Sequence, residues 1–309
     1  MVARRSRGVL FGAVALGVIS TLLAPGAVAS LEGASHPVVI NVVAAEDFWG
    51  SLATQLGGRA AHVTSIITNP NADPHEYEAS TAVARAFGGA NYVILNGAGY
   101  DDWAAKILEA NPEPHRVVLV VANLLGKRPG DNPHFWYNPD YVFRVIDRIS
   151  SDYRSIDPAD ATYFRQRLSV VEASFGPYRE LLASIRREHA GEKVASTESI
   201  FEYLARDLKL DLVTPYAFMQ AVAEGYDPPV GAVATFEQEI SAHDFRLLVY
   251  NSQTLTALTT NIRKQVASEH ILIVGISETL RPQKATFQQW MVSELTSISR
   301  ALASGNRRR

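Results

Sequence analysis

Residues 157–188 read DPADATYFRQRLSVVEASFGPYRELLASIRRE, and the rest of the chain is organised around this stretch. Asp157-Pro158 reads as a cap followed by proline at the first helical position, where the missing N–H has no helical partner to lose. Phe164, Leu168, Val171, Phe175, Tyr178, Leu182 and Ile185 then recur at spacings of four and three. That rhythm predicts one apolar stripe on a helix roughly 45 Å long at about 1.5 Å per residue. Gly176-Pro177 predicts a kink in it. A helix of this length acts as a stiff strut, so whatever lies on either side should keep a nearly fixed relation.

On both sides, short β-branched runs alternate with helical patterns, the sign of α/β architecture with mainly parallel sheets. Before the strut the strand candidates are 38–44, 62–67, 92–96 and 116–121. After it they are 193–196, 210–214, 246–251 and 270–274. Two sets of about four predict an α/β fold of two (β/α)4-like lobes joined by a long rigid backbone helix. The expected boundaries are 30–155 for the first lobe, 156–189 for the linking helix and 190–309 for the second lobe.

Residues 1–29 read as a secretory signal. Arg4, Arg5 and Arg7 precede an apolar run from Gly8 to Ala24, and Ala27-Val28-Ala29 has the small-x-small form of a cleavage site. An uncleaved anchor is the alternative. The expected product is exported, to a periplasm or cell surface. Among 309 residues there is no cysteine, which excludes thiolate metal sites, disulfides, cysteine nucleophiles and lipid attachment through cysteine. A formal net charge of -3 gives no general attraction for nucleic acid, so none is expected as a partner.

Two loops carry the chemistry. One runs Asn69-Pro70-Asn71-Ala72-Asp73-Pro74-His75-Glu76-Tyr77. The other runs Asp131-Asn132-Pro133-His134-Phe135-Trp136-Tyr137-Asn138-Pro139. Each presents a histidine directly after proline, beyond a strand candidate of the first set. Open α/β sheets bind ligands at the carboxyl ends of their strands, and proline leaves each imidazole little backbone freedom to lose. The spacing alone leaves open a metal site or two loop histidines without a role.

These loops resemble the two histidine loops of the metal-binding solute-binding proteins of zinc, manganese and iron(II) ABC importers, of the cluster A-I type. Asp73-Pro74-His75-Glu76-Tyr77 is similar to that family's Asp-Pro-His-x-Tyr, and Asn132-Pro133-His134-Phe135-Trp136 to its Asp-Pro-His-x-Trp. The resemblance implies a third ligand at Glu198, which opens Glu198-Ser199-Ile200-Phe201-Glu202-Tyr203, and a fourth at Glu278, where the family usually has aspartate. Asn132 and Asn138 stand where carboxylates are usual, which removes the groups expected to orient the His134 ring.

The resemblance therefore implies a divalent transition metal as cargo, held by His75, His134, Glu198 and Glu278. It also implies an ABC transporter permease and its ATPase as partners, and a monomer with no catalytic role. Two imidazoles and two carboxylates balance a divalent charge and suit zinc or manganese, with iron(II) as a third candidate. Glutamate at the third position is similar to the manganese and iron branch, whereas intrinsic affinity favours zinc. Ligation needs deprotonated imidazole, so binding should weaken below about pH 6. The competing readings are a metal-dependent hydrolase with a three-ligand open site, a binder of an organic ligand, and a surface adhesin or metal buffer without a transporter. No His-Glu-x-x-His run or Gly-x-Ser-x-Gly turn occurs.

Overall fold

The computed structural model describes residues 39–69 and 77–305. The proposed signal at 1–29 and the histidine of the first loop, His75, lie outside the described residues. Among the described residues, eight strands form two four-stranded parallel sheets. In the first sheet β1 (Ile40–Glu46), β2 (Ala61–Ile67), β3 (Tyr92–Leu95) and β4 (Val117–Val120) take the order β2-β1-β3-β4. In the second, β5 (Lys193–Ser196), β6 (Asp211–Leu212), β7 (Leu247–Asn251) and β8 (Leu272–Ile276) repeat it as β6-β5-β7-β8. All pairings between neighbours are parallel.

The central strands read as unbroken apolar runs, such as Tyr92-Val93-Ile94-Leu95, because helices cover both faces of a parallel sheet. The edge strand β6 is shorter than the apolar run 210–214 suggested; it pairs along one side only, through Lys193 with Asp211 and Val194 with Leu212. In each sheet the strand order reverses once, between β1 and β3 and between β5 and β7. Crevices for ligands open at the carboxyl ends of strands at such points.

The stretch between the lobes differs from one continuous kinked helix. A turn at Pro158–Asp160 leads into a helix Ala161–Ser174, and a second helix runs Gly176–His189. Pro177 has no N–H to continue the first ladder, but at the start of a new helix none is needed. Phe175, fully buried at the joint, packs against Phe143, Tyr178 and Phe287. The break is therefore an anchored corner and not a loose hinge.

One apolar core crosses both lobes. Phe48 and Trp49 of the Asp47–Gly57 helix meet Trp136, Tyr137, Trp290 and Leu295 in it, and Phe48 stacks on Trp136 with ring centres 4.1 Å apart. The last helix, Phe287–Gly305, seals this junction. Its Glu294, buried, accepts hydrogen bonds from the Tyr137 hydroxyl at 2.6 Å, the Trp290 indole at 2.9 Å and the Ser277 backbone N–H at 2.9 Å. Gln288 reaches Gln55 at 3.0 Å, and Asp47 accepts the Leu280 N–H at 3.2 Å.

Candidate metal centre

His134 ends the loop between the Val121–Leu125 helix and the short turn Phe135–Tyr137. Asn138 then caps the Pro139–Ile156 helix by accepting the Tyr141 N–H at 3.2 Å. The family's usual aspartate at this position is thus replaced by another good N-cap. The His134 ring is fully buried, framed by Tyr100 and Trp136 edges.

Asn132 orients that ring. Its side-chain oxygen accepts the His134 backbone N–H at 3.0 Å and lies 2.7 Å from Nδ1. Its amide NH2 donates to the Ser199 carbonyl at 2.7 Å and to Glu202 Oε2 at 3.1 Å. Two acceptors on one side and two N–H groups on the other fix which way the amide points. Nδ1 then carries the proton, and Nε2 is the nitrogen left to ligate. The expectation that asparagine removes support from His134 is corrected: an amide oxygen does what a carboxylate usually does.

Glu198 follows β5 and Glu278 follows β8, so both leave the carboxyl ends of second-lobe strands. They are 1% and 0% exposed. His134, Glu198 and Glu278 each offer an atom within 4.8 Å of the others, and among the described residues they form the one such group of histidine and carboxylate donors. His134 Nε2 lies 4.0 Å from Glu198 Oε1. A like-charged buried pair beside an imidazole is costly unless a cation or protons compensate it.

Polar neighbours that the sequence did not single out hold the carboxylates. The Tyr100 hydroxyl, from the first lobe, donates to Glu278 Oε2 at 2.5 Å. Asn251, the last residue of β7, donates to Glu198 Oε1 at 2.7 Å and to Glu278 Oε1. Gln253 Oε1 accepts the backbone N–H groups of Glu278 and Thr279 at 2.7 and 3.1 Å. A cleft of about 550 Å³, lined in part by Tyr100, Asn132, Ser199, Tyr216, Gln220 and Tyr226, opens beside this group.

Behind Tyr100 lies a second buried acidic cluster. Asp101 accepts the Asn96 and Gly97 backbone N–H groups at 2.6 and 2.8 Å, closing the turn that presents Tyr100. Gly97 has φ +78°, and a Cβ there would stand 2.7 Å from Val120 Cγ1, so the turn requires glycine. Burial, then the neighbouring Asp101 charge, pushes the Glu46 carboxyl well above its usual range. Burial also raises Asp101, against the pull of those two backbone donors. Asp47 is pushed up by burial to about 7. Glu46 and Asp101 are thus neighbouring buried carboxyls, both raised chiefly by burial.

The sequence profile of the family described as "Zinc-uptake complex component A periplasmic" matches residues 42–301. The chain belongs to this family. Two relatives are similar to this chain over part of its length. The iron-binding protein YfeA of Yersinia pestis is 29% identical over 198 residues, 61% of this chain and 63% of that protein. The manganese-binding lipoprotein MntA of Halalkalibacterium halodurans is 26% identical over 152 residues, 48% of this chain and 50% of that protein. The matched region thus spans less than two thirds of either relative.

Among solved structures, a manganese-bound periplasmic metal binding protein from Candidatus Liberibacter asiaticus superposes with a TM-score of 0.71 at 16% identity, over 86% of this chain and 99% of that one. The solute-binding protein FpvC of P. aeruginosa, in complex with Ni2+, gives 0.66 at 18% identity, over 87% and 98%. At these identities the likeness is one of fold. No helix among the described residues is long and apolar enough to cross a membrane.

The sequence reading missed Tyr100 and Asn251, and took Asn132 for a loss of support where it supplies one. Asn251 had one legible sign, a polar residue closing the apolar run Leu247-Leu248-Val249-Tyr250. Tyr100 had only its place after two glycines.

Proposed function

We propose that this protein is an exported solute-binding protein that captures a divalent transition metal and delivers it to the permease and ATPase of an ABC importer. It acts as a monomer without catalysis of its own. The metal is held by His134 from the first lobe, Glu198 and Glu278 from the second, and His75 from the loop outside the described residues. The observation that carries this reading is the meeting of three buried donors, from both lobes, within 4.8 Å. Two imidazoles and two carboxylates neutralise a divalent ion and suit zinc, manganese and iron(II). The lobes are assigned to 30–155 and 190–309, with 156–189 as the link.

Cross-lobe bonds favour a carrier that reports its cargo. Asn132 donates to the Ser199 carbonyl, the Tyr203 hydroxyl donates to the Asn132 carbonyl at 3.0 Å, and Tyr100 reaches Glu278. A hydrolase would need a solvent-reached position on the ion. Donors no more than 1% exposed support a closed binding site instead.

Uptake of radioactive zinc, manganese and iron(II) by native cells lacking this protein tests the reading. The wild-type gene should restore uptake of at least one metal, and His134→Ala should not, although the variant is exported at normal levels. Equal restoration by both, or none by the wild type, would contradict it.

A further inference from the structure

Asn96 directly follows β3 and is fully buried. Its backbone N–H donates to Asp101 Oδ2 at 2.6 Å, and its backbone carbonyl accepts the Ala122 N–H at 2.9 Å. Its side-chain oxygen accepts the Trp49 indole N–H at 3.1 Å, and its side-chain NH2 donates to the Pro133 carbonyl at 2.9 Å. An indole N–H can only donate and a carbonyl can only accept, so these two partners fix which way the amide points. Asn96 thereby joins the end of β3 and the Asp47–Gly57 helix to the residue directly before His134.

The Pro133 carbonyl closes a tight turn around His134. It accepts the Phe135 N–H at 2.7 Å, and His134 between them has φ -76° and ψ 50°, an inverse γ-turn. A carbonyl oxygen has two lone pairs, and Asn96 uses the one that the turn leaves. After the turn, Phe135, Trp136 and Tyr137 are fully buried and anchor the chain. Before it, the Asn132 NH2 and carbonyl bond to Ser199, Glu202 and Tyr203 of the second lobe. The Asn96 bond instead lies wholly within the first lobe and ties the start of the turn to its sheet. A ligand whose backbone is fixed beforehand loses less freedom when an ion arrives.

We propose that Asn96 is a positioning residue which, by holding the Pro133 carbonyl, fixes the turn that aims the His134 imidazole at the metal, from within the first lobe alone. This rests on the reading that His134 binds the ion. The test measures zinc affinity by competition with a coloured chelator, and records ring signals of 15N-labelled histidine in metal-free protein. Loss of one signal pair in His134→Gln assigns that ring. Asn96→Ala removes the donor. The double variant Trp49→Phe/Asn96→Leu removes it while leaving no indole N–H orphaned and keeping the volume, with Trp49→Phe as its reference. Leu52→Ala, a core change in the Asp47–Gly57 helix, controls for lost stability, and melting curves place every variant on one scale.

Both Asn96 variants should bind zinc about tenfold more weakly than their references, the low end of what loss of an outer partner of a ligating histidine costs. Their His134 ring signals should shift or broaden while those of the other histidines stay in place. Leu52→Ala should lower the melting temperature and leave zinc affinity and the His134 signals as in wild type. Unchanged affinity and ring signals in both Asn96 variants would overturn the proposal, as would an equal loss of affinity in Leu52→Ala. In either case loss of zinc binding in His134→Ala leaves the site itself standing. If His134→Ala binds zinc as wild type does, the site reading fails and the proposal with it.

Discussion

Asn132 ties two tasks together through one amide. Its oxygen sets the tautomer of His134, and its NH2 reaches across to Ser199, 67 positions later in the chain, and to Glu202. Replacing it with alanine leaves the ring free to turn and removes a bond between lobes. Loss of an outer partner of a metal-ligating histidine weakens metal affinity by about 10–100-fold. Asn132→Ala should therefore lower zinc affinity by that range in competition with a coloured chelator, with little change in melting temperature. An unchanged affinity would show that the ring is held by other contacts. At this scale the sequence displayed the Pro-His loops, because such motifs are local. It could not display Asn132 as a support, since the groups that orient its amide are distant in sequence and meet it only after folding.

At the scale of elements, the end of β1 and the turn before Tyr100 carry buried carboxyls whose protonated forms folding favours. Glu46 is raised well above the ordinary carboxyl range and Asp47 to about 7, in both cases chiefly by burial. Such groups bind protons more tightly folded than unfolded. Their contribution is complete below the unfolded value near 4 and is lost as pH rises through the folded value. For Asp47 that window runs from about 4 to about 7, and each such group contributes a slope of about 1.4 kcal/mol per pH unit within its window. Metal-free protein should thus melt at lower temperature at pH 8 than at pH 5. Glu46→Gln, which mimics the protonated acid, should melt close to wild type at pH 5 and decline less steeply above it. A wild-type profile that rises with pH, or an identical slope in the variant, would contradict this. Strands and helices were legible here as apolar runs and stripes. The division of the strut at Phe175 was half legible: Gly176-Pro177 marked the place, but only the aromatic contacts around Phe175 decide that the ladder stops and restarts.

For the whole molecule, two sheets of the same strand order share one apolar, aromatic-rich core. The carboxyl ends of β5, β7 and β8 deliver Glu198, Asn251 and Glu278 to the same place as the first-lobe loop of His134. The lobes are bound by buried polar contacts as well, such as the Tyr137 hydroxyl with Ser277 and Glu294. This architecture followed from the alternation of strands and helices around the central helical stretch. The meeting point followed only from the family resemblance, because nothing in Glu198 or Glu278 alone marks a ligand. Anomalous diffraction from zinc-loaded crystals, recorded on both sides of the zinc edge, tests the central claim most directly. One strong peak should lie about 2.0–2.2 Å from His134 Nε2 and from one oxygen each of Glu198 and Glu278, with His75 completing the set. A peak elsewhere, or one touching residues of a single lobe, would contradict the account.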